Sequence, residues 1–442
     1  MYFDYFTVGS KQKVAFLLIT TTLAAAWLYP FPSTQSGTTN RVAGGTPANH
    51  RYPQTSQNPH AVLLASARLH NASADKHLHR RARMDGLLRK VDDRLDAIMR
   101  PLYGPSHASN LLELPDGRLL LVWFTGGNEG EEGIRIVSSY LEPGSTQWTK
   151  PTSASFAEGR SNQNPVIFYH EPDKTVRLLH TSQVAYEGQG TADVRIVESN
   201  DGGATWGAPK VLFTENGAFV KNQLIQSKDG SEWLLPMYYT PDGFLGHETQ
   251  YSVIKRSADG GRTWQEHVMQ GTHGNCVQPT VVRLASGTLR AWFRSRAADY
   301  IYVSDSEDDG RTWSPPRKTA LPNNNSGIQA CRLSNGGIVM VFNNVQGPFS
   351  RYPLTVALSL DDGASWPYLR DLEPTKDAAA RRAAGQVDLS AMGEFSYPSV
   401  IQTRDGGIHV SYTYNRESIR YAKITEDWIR DGHTVGLFRA PK

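Results

Sequence analysis

The sequence predicts an all-β protein, a six-bladed β-propeller of four-stranded antiparallel blades, and three observations carry that expectation. A motif of the form Ser-x-Asp-x-Gly-x-Thr-Trp recurs four times, its Asp positions 58, 49 and 53 residues apart. A second pattern, strand then tight turn then strand, interleaves with it at Asp116-Gly117, Asp173-Lys174, Asp229-Gly230, Ser286-Gly287, Asn335-Gly336 and Asp405-Gly406. The composition, with 39 Gly and 10 Trp among 442 residues, suits many short strands joined by turns. Repeating units of about 50–60 residues with roughly four strands apiece fit radially packed sheets.

In chain order, the first element is an apolar run. Val14 to Leu28 is almost uninterrupted, preceded by Lys11 and Lys13, and the next charge is Arg41. Residues 1–32 therefore read as a cytoplasmic tip plus a signal anchor, with the rest of the chain on the extracytoplasmic or lumenal side. A cleaved signal peptide and a secreted chain is the alternative. Residues 33–77 are polar and aperiodic, as a disordered stalk is, and carry the glycosylation sequon Asn71-Ala72-Ser73. Next, Met84, Leu87, Leu88, Val91, Leu95, Ile98 and Met99 recur at three- and four-residue steps. That spacing predicts an amphipathic helix within 78–102, packed on the main domain or self-associating through residues 78–100. The propeller is expected over 103–435, with a tail at 436–442.

The repeated motif has a physical logic. It spans Ser199–Trp206, Ser257–Trp264, Ser306–Trp313 and Ser359–Trp366, the last with Ser365 in place of Thr, and has a weaker relative at Gly144–Trp148. The Asp carboxylate accepts backbone N–H groups of a tight turn while Gly takes positive φ, and the Trp packs beneath. Its role is to staple hairpins. The last step is lengthened by an insertion from about Pro367 to Met392, and the final unit, ending near Trp428, lacks the motif.

Charge and cysteine content narrow the function. Lys and Arg number 46 against 43 Asp and Glu, a net +3, which argues against a nucleic-acid partner. Two cysteines, Cys276 and Cys331, make neither a disulfide scaffold nor a Cys-rich zinc site. No metal-ligand cluster stands out, and no cofactor is expected.

Four such boxes in six four-stranded units resemble the sialidase (neuraminidase) superfamily, over about residues 103–430. The stretches His107-Ala108-Ser109, Asn162-Gln163-Asn164-Pro165, Asn323 to Gly327 and Ser396-Tyr397-Pro398 with Tyr412 to Arg416 are similar to its divergent, predicted-neuraminidase branch. The resemblance implies an exo-glycosidase that removes a terminal acidic sugar, sialic acid or a relative, from glycoconjugates. Such an enzyme clamps the sugar carboxylate with arginines, protonates the leaving oxygen with a carboxylic acid, and attacks with a Tyr that a Glu activates.

Matched by offset from each turn, Arg294 and Arg351 are the clamp and Tyr397 the nucleophile. His107 stands where the family places a further arginine. The acid is expected in the loop Gly126 to Gly133, at Glu131 or Glu132, and Gln278 replaces the activating Glu. Other polar residues cluster at corresponding strand starts and are expected to bind substrate: Arg160, Asn164, Lys221, Asn222, His273, Arg296, Asn325, Tyr412 and Arg416. The changes at His107 and Gln278 leave two further readings, a propeller that binds acidic glycans without turnover and a uronic-acid hydrolase or lyase using a His–Tyr pair.

Overall fold

The computed structural model describes residues 83–244, 246–375 and 393–439. The apolar run at 14–28, the polar segment to 77 and the start of the expected helix lie outside these residues. Where description begins, the helix gives way to a hairpin. Strands β1 (Arg89–Val91) and β2 (Arg94–Ile98) pair antiparallel, Val91 opposite Arg94. Asp92 and Asp93 turn the chain with φ of 48° and 63°, the two positive values that a tight two-residue hairpin needs. Arg94, Asp96, Ala97 and Met99 are buried while Leu95 is exposed. A turn inserted between two short strands had imitated the three- and four-residue spacing.

Five blades follow in sequence order, each with its first strand innermost. The first comprises β3 (Ser106–Glu113), β4 (Leu119–Thr125), β5 (Arg135–Leu141) and β6 (Thr152–Ser155), and the second β7 (Arg160–His170), β8 (Thr175–Val184), β9 (Asp193–Ser199) and β10 (Lys210–Phe213). In the third, the inner strand is split into β11 (Ala218–Val220) and β12 (Ile225–Gln226), both paired with β13 (Trp233–Tyr239), with β14 (Tyr251–Ser257) and β15 (Gln265–Val268) outside. The fourth holds β16 (Cys276–Arg283), β17 (Leu289–Ser295), β18 (Tyr300–Ser306) and β19 (Arg317–Pro322). The fifth holds β20 (Gln329–Arg332), β21 (Ile338–Asn343), β22 (Leu354–Ser359) and β23 (Tyr368–Glu373), so the expected insertion begins later than Pro367.

The sixth blade closes the ring. It has three strands from the end of the chain, β24 (Phe395–Gln402), β25 (Ile408–Tyr414) and β26 (Ser418–Ile424). Its fourth strand is β2, paired with β26 from Leu95 opposite Lys423 to Ile98 opposite Arg420, and β1 adds a fifth at the edge. The segment read as a separate helix is thus the clasp that joins the two ends of the propeller. Buried charges fix it: Arg94 pairs with Asp96 at 2.7 Å, and Arg420 reaches both Asp96 and Glu373.

The four boxes lie at the turns between third and fourth strands, as their chemistry requires. In the first, Asp201 accepts from Thr205 N at 2.9 Å and Thr205 Oγ1 at 2.6 Å, and Ser199 Oγ accepts from Gly203 N at 2.8 Å. Apolar clusters fill the spaces between neighbouring sheets. Residues 435–439 pack on the fifth blade, Leu437 N and Phe438 N donating to Asn344 at 2.8 and 2.7 Å. Asn324, the acceptor of a second sequon, is buried and bonded to Ser350 O, which leaves no room for a glycan. Cys276 and Cys331 are both free.

One local feature positions the site. Strands β3, β7, β16 and β24 each shift register two to four residues in, after His107, Gln163, Val277 and Ser396. Each shift holds a residue with positive φ: Ala108 at 49°, Asn164 at 48°, Gln278 at 54° and Tyr397 at 51°. Asn325, just before β20, has φ 58°. A bulge of this kind re-aims a side chain out of the strand's alternation. Proline follows three of them, at Pro165, Pro279 and Pro398, where no ladder N–H is required. Each left-handed residue costs about 1–3 kcal/mol and persists because packing over-determines it.

Candidate active site

The bulges turn Asn164, Gln278 and Tyr397 toward one end of the central channel, where Tyr397 and Asn164 line a cavity with Arg294, Arg296, Arg351 and Glu129. Tyr397 is 6% exposed, and its phenol oxygen accepts a 2.5 Å hydrogen bond from Arg294 Nη1. Arg294 arrives on β17 and is fixed by Asn325 Oδ1 at 2.8 Å and Gln278 Oε1 at 3.3 Å. Three cations surround the ring: the Arg351 and Arg294 guanidinium carbons lie 5.4 and 5.6 Å from its centre and Lys221 Nζ 5.8 Å. Burial pushes the phenol up, but Arg294 and Arg351 bring it below its ordinary value. Burial alone pushes the Lys221 amine down to about 7.

Carboxylates gather on the side of the first and sixth blades. Glu129 accepts from Arg416 Nη1 at 2.7 Å, and its oxygen lies 3.5 Å from His107 Nε2. Glu394 accepts from Arg351 at 2.6 Å, from Arg416 at 2.8 Å and from Ser396 at 2.9 Å, and these cations hold it below the usual carboxylate range against the effect of burial. The Thr413 hydroxyl oxygen accepts from Ala108 N at 3.2 Å and lies 2.7 Å from His107 Nδ1. Burial first, then Arg416 and Arg351, keep His107 well below the usual histidine range. His107 is thus a buried neutral ring beside Tyr397, the two rings 4.2 Å apart, and not a cationic clamp.

Other expected residues sort into two groups. Asn325 and Arg416 bond within this cluster as described, Lys221 Nζ donates to the Pro398 carbonyl at 3.3 Å, and Arg296 lines the cavity with Nε 2.7 Å from Gln250 Oε1. The rest lie elsewhere. Glu131 accepts from Asn128 N and Nδ2, both at 2.9 Å, inside its own exposed loop, and Glu132 accepts from Gly159 N at 3.2 Å. Tyr412 is buried between sheets with its hydroxyl 3.3 Å from Glu373, because strand alternation gives the site Thr413 instead. Arg160 is bound to Asp193 at 2.8 Å and to Ser182. Asn222 donates to the Gln278 and Pro279 carbonyls, holding the bulge of the fourth blade in place. His273 is exposed and stacks on Tyr251 at 4.9 Å.

Glu129, Glu394 and Tyr238, whose hydroxyl accepts from Gln278 Nε2 at 3.1 Å, were not singled out from sequence. Glu129 was recoverable from its place in the Gly-rich loop, nearest the end of β4. A larger cavity of about 680 Å³ opens at the other ends of the inner strands, beside Glu113, His170 and Gln402, and none of the expected site residues lines it. Among the described residues, no group of His, Cys, Asp or Glu is arranged to hold a metal.

The architecture and the boxes agree with a family model described as a BNR repeat-like domain, which matches residues 117–410. The chain belongs to that family. Within the wider sialidase and BNR-repeat superfamily, it is 29% identical over 210 residues to a sialidase of Bacteroides fragilis strain YCH46, covering 43% of this chain and 36% of that protein. It is 28% identical over 267 residues to a sialidase of Micromonospora viridifaciens, covering 55% of this chain and 37% of the relative. The matched region thus spans little more than a third of either relative. Among solved structures, Hadza microbial sialidase Hz136 superposes with a TM-score of 0.59 at 17% identity, covering 74% of this chain and 66% of that one. At that identity the likeness speaks for the BNR fold alone.

Proposed function

We propose that this BNR-repeat propeller is a glycoside hydrolase that removes a terminal acidic sugar from a glycoconjugate. The observation that carries the reading is the Arg294 to Tyr397 hydrogen bond inside a cavity that Arg351 and Glu129 also line. An arginine fork matches a sugar carboxylate. A phenol whose anionic form is stabilised by neighbouring guanidinium groups suits attack at an anomeric carbon that bears an anion. In this mechanism the Tyr397 phenolate oxygen bonds to the anomeric carbon as the bond to the leaving oxygen breaks, and Glu129, in its protonated form, gives its proton to that oxygen. Water then releases the sugar, with Glu129 taking a proton from it.

Gln278 and His107 favour a second reading, a propeller that binds acidic glycans without turnover. Gln278 cannot take the phenol proton, and His107 is neutral and offers no guanidinium. A panel of aryl glycosides of sialic and uronic acids, assayed with wild type, Tyr397→Phe and Arg294→Ala, separates the two. The glycosidase reading expects turnover of at least one substrate, reduced about 10²-fold or more in both variants. Binding of acidic sugars without turnover of any would leave the second reading.

A further inference from the structure

Among the described residues only the third blade has its inner strand broken in two, β11 ending at Val220 and β12 starting at Ile225. The break presents Lys221, Asn222 and Gln223, and each reaches a different blade. Lys221 Nζ donates to the Pro398 carbonyl of the sixth blade at 3.3 Å. Asn222 Nδ2 donates to the Gln278 and Pro279 carbonyls of the fourth at 3.0 and 3.1 Å, and Gln223 Nε2 to the Leu111 carbonyl of the first at 3.1 Å. In a ring of six the third and sixth blades face one another, so Lys221 spans the channel.

Lys221 is only 2% exposed, and among the described residues it forms no ion pair. A buried amine without a carboxylate beside it is unfavourable, and an apolar side chain would fill the same space without that penalty. What the amine adds is one contact, to the carbonyl of the residue that follows Tyr397. Tyr397 is the bulge residue with φ 51° whose phenol meets Arg294. The packing there is close: a Cβ on Gly327 would lie 3.4 Å from Tyr397 Cγ and 3.5 Å from Lys221 Cε. We propose that Lys221 is a positioning residue, which ties the Pro398 carbonyl across the channel, holds the left-handed Tyr397 backbone and so seats the phenol against Arg294. Burial brings the amine to about 7, so through the alkaline range in which a phenol titrates it is neutral and acts by its hydrogen bond. That the phenol so placed attacks a sugar rests on the glycosidase reading; the seating itself does not.

The test follows ionisation of Tyr397 in the full chain by ultraviolet difference spectroscopy, each protein read against its Tyr397→Phe counterpart. The charged and titratable groups that otherwise face the phenol, Arg294, Arg351, Glu129, His107 and Tyr238, are the same in wild type and Lys221→Met. In Lys221→Met the phenol leaves Arg294, and its ionisation moves up by about one pH unit or more, tenfold in the constant. Arg294→Ala raises it in wild type but adds little in Lys221→Met, because the contact is already gone. Gln223→Met, which cuts the tie to the first blade instead, leaves it as in wild type. On any glycoside turned over, Lys221→Met lowers kcat about tenfold with KM little changed, and lowers it no further in Tyr397→Phe. Thermal unfolding checks that each variant folds, and Lys221→Gln, too short to reach Pro398, carries the comparison if Lys221→Met does not. Unchanged Tyr397 ionisation in a folded Lys221 variant, additive effects of Lys221→Met and Arg294→Ala, or an equal fall in kcat in Tyr397→Phe overturns the role. Shifted ionisation with no acidic glycoside turned over keeps the role and removes the glycosidase reading instead.

Discussion

Arg294 Nη1 lies 2.5 Å from the phenol oxygen of Tyr397, although the two residues sit in different blades and 103 positions apart. The contact exists because a bulge turns Tyr397 out of β24 while Asn325 and Gln278 hold the guanidinium in place. Tyr397→Phe is expected to lower kcat by about 10²–10³-fold while leaving acidic-sugar binding nearly intact, a loss comparable to removing one preorganised catalytic contact. Steady-state kinetics alongside calorimetry check both halves of that statement.

The same contact sets a pH dependence. Arg294 and Arg351 stabilise the phenolate, so the active form is lost as pH falls through the Tyr397 pKa. Arg351→Gln removes one of the two and raises that pKa, which shifts the acid limb of the kcat profile to higher pH. A limb that stays in place shows that Tyr397 is not the group that titrates.

Glu129 and Glu131 share one loop but not one role. Only Glu129 lines the cavity, and Glu131 is engaged by Asn128 within the loop. Glu129→Gln is expected to reduce kcat by about 10²-fold or more, in the range of general acid catalysis, and Glu131→Gln to leave it unchanged. Reversal of that order on any turned-over glycoside returns the acid to Glu131.

Lys221 makes the protein's stability rise with pH. Its amine is brought from 10.5 to about 7 by burial, so between those values the unfolded chain binds more protons than the folded one. Stability therefore increases through that window. In Lys221→Met the rise is smaller, because no charge has to be shed on folding. Denaturant midpoints at pH 6 and pH 9 for both proteins measure the difference, and parallel changes in the two would remove Lys221 as its source.

The clasp is open to the same kind of test. Arg420→Met leaves Asp96 and Glu373 buried without their shared guanidinium, an expected cost of about 3–5 kcal/mol. A thermal midpoint close to wild type would mean that the pairing of β2 with β26 closes the ring without help from these charges.

The boxes were legible because each is a closed local circuit: Asp259, Ser257 and Thr263 satisfy one another within seven residues. Arg294, Arg351 and Tyr397 were found by offset from their turns, since propeller symmetry converts a repeated offset into a shared rim. Hairpin β1–β2 was misread because it pairs with a strand more than 300 residues away. Without that partner, Leu87, Val91, Leu95 and Ile98 fit a helix as well as a strand. Only the Asp92-Asp93 pair signalled a turn. Glu394 escaped because its partners, Arg351 and Arg416, come from opposite sides of it in sequence. Tyr412 and Thr413 show how little separates site from core, one step of strand alternation.

The most direct measurement is to trap the glycosyl enzyme. A fluorinated analogue of whichever acidic sugar is turned over slows release of a covalent intermediate, and mass spectrometry of the digested protein locates it. The adduct should lie on Tyr397 and be absent from Tyr397→Phe. An adduct on any other residue, or turnover in Tyr397→Phe at the wild-type rate, contradicts the site described here.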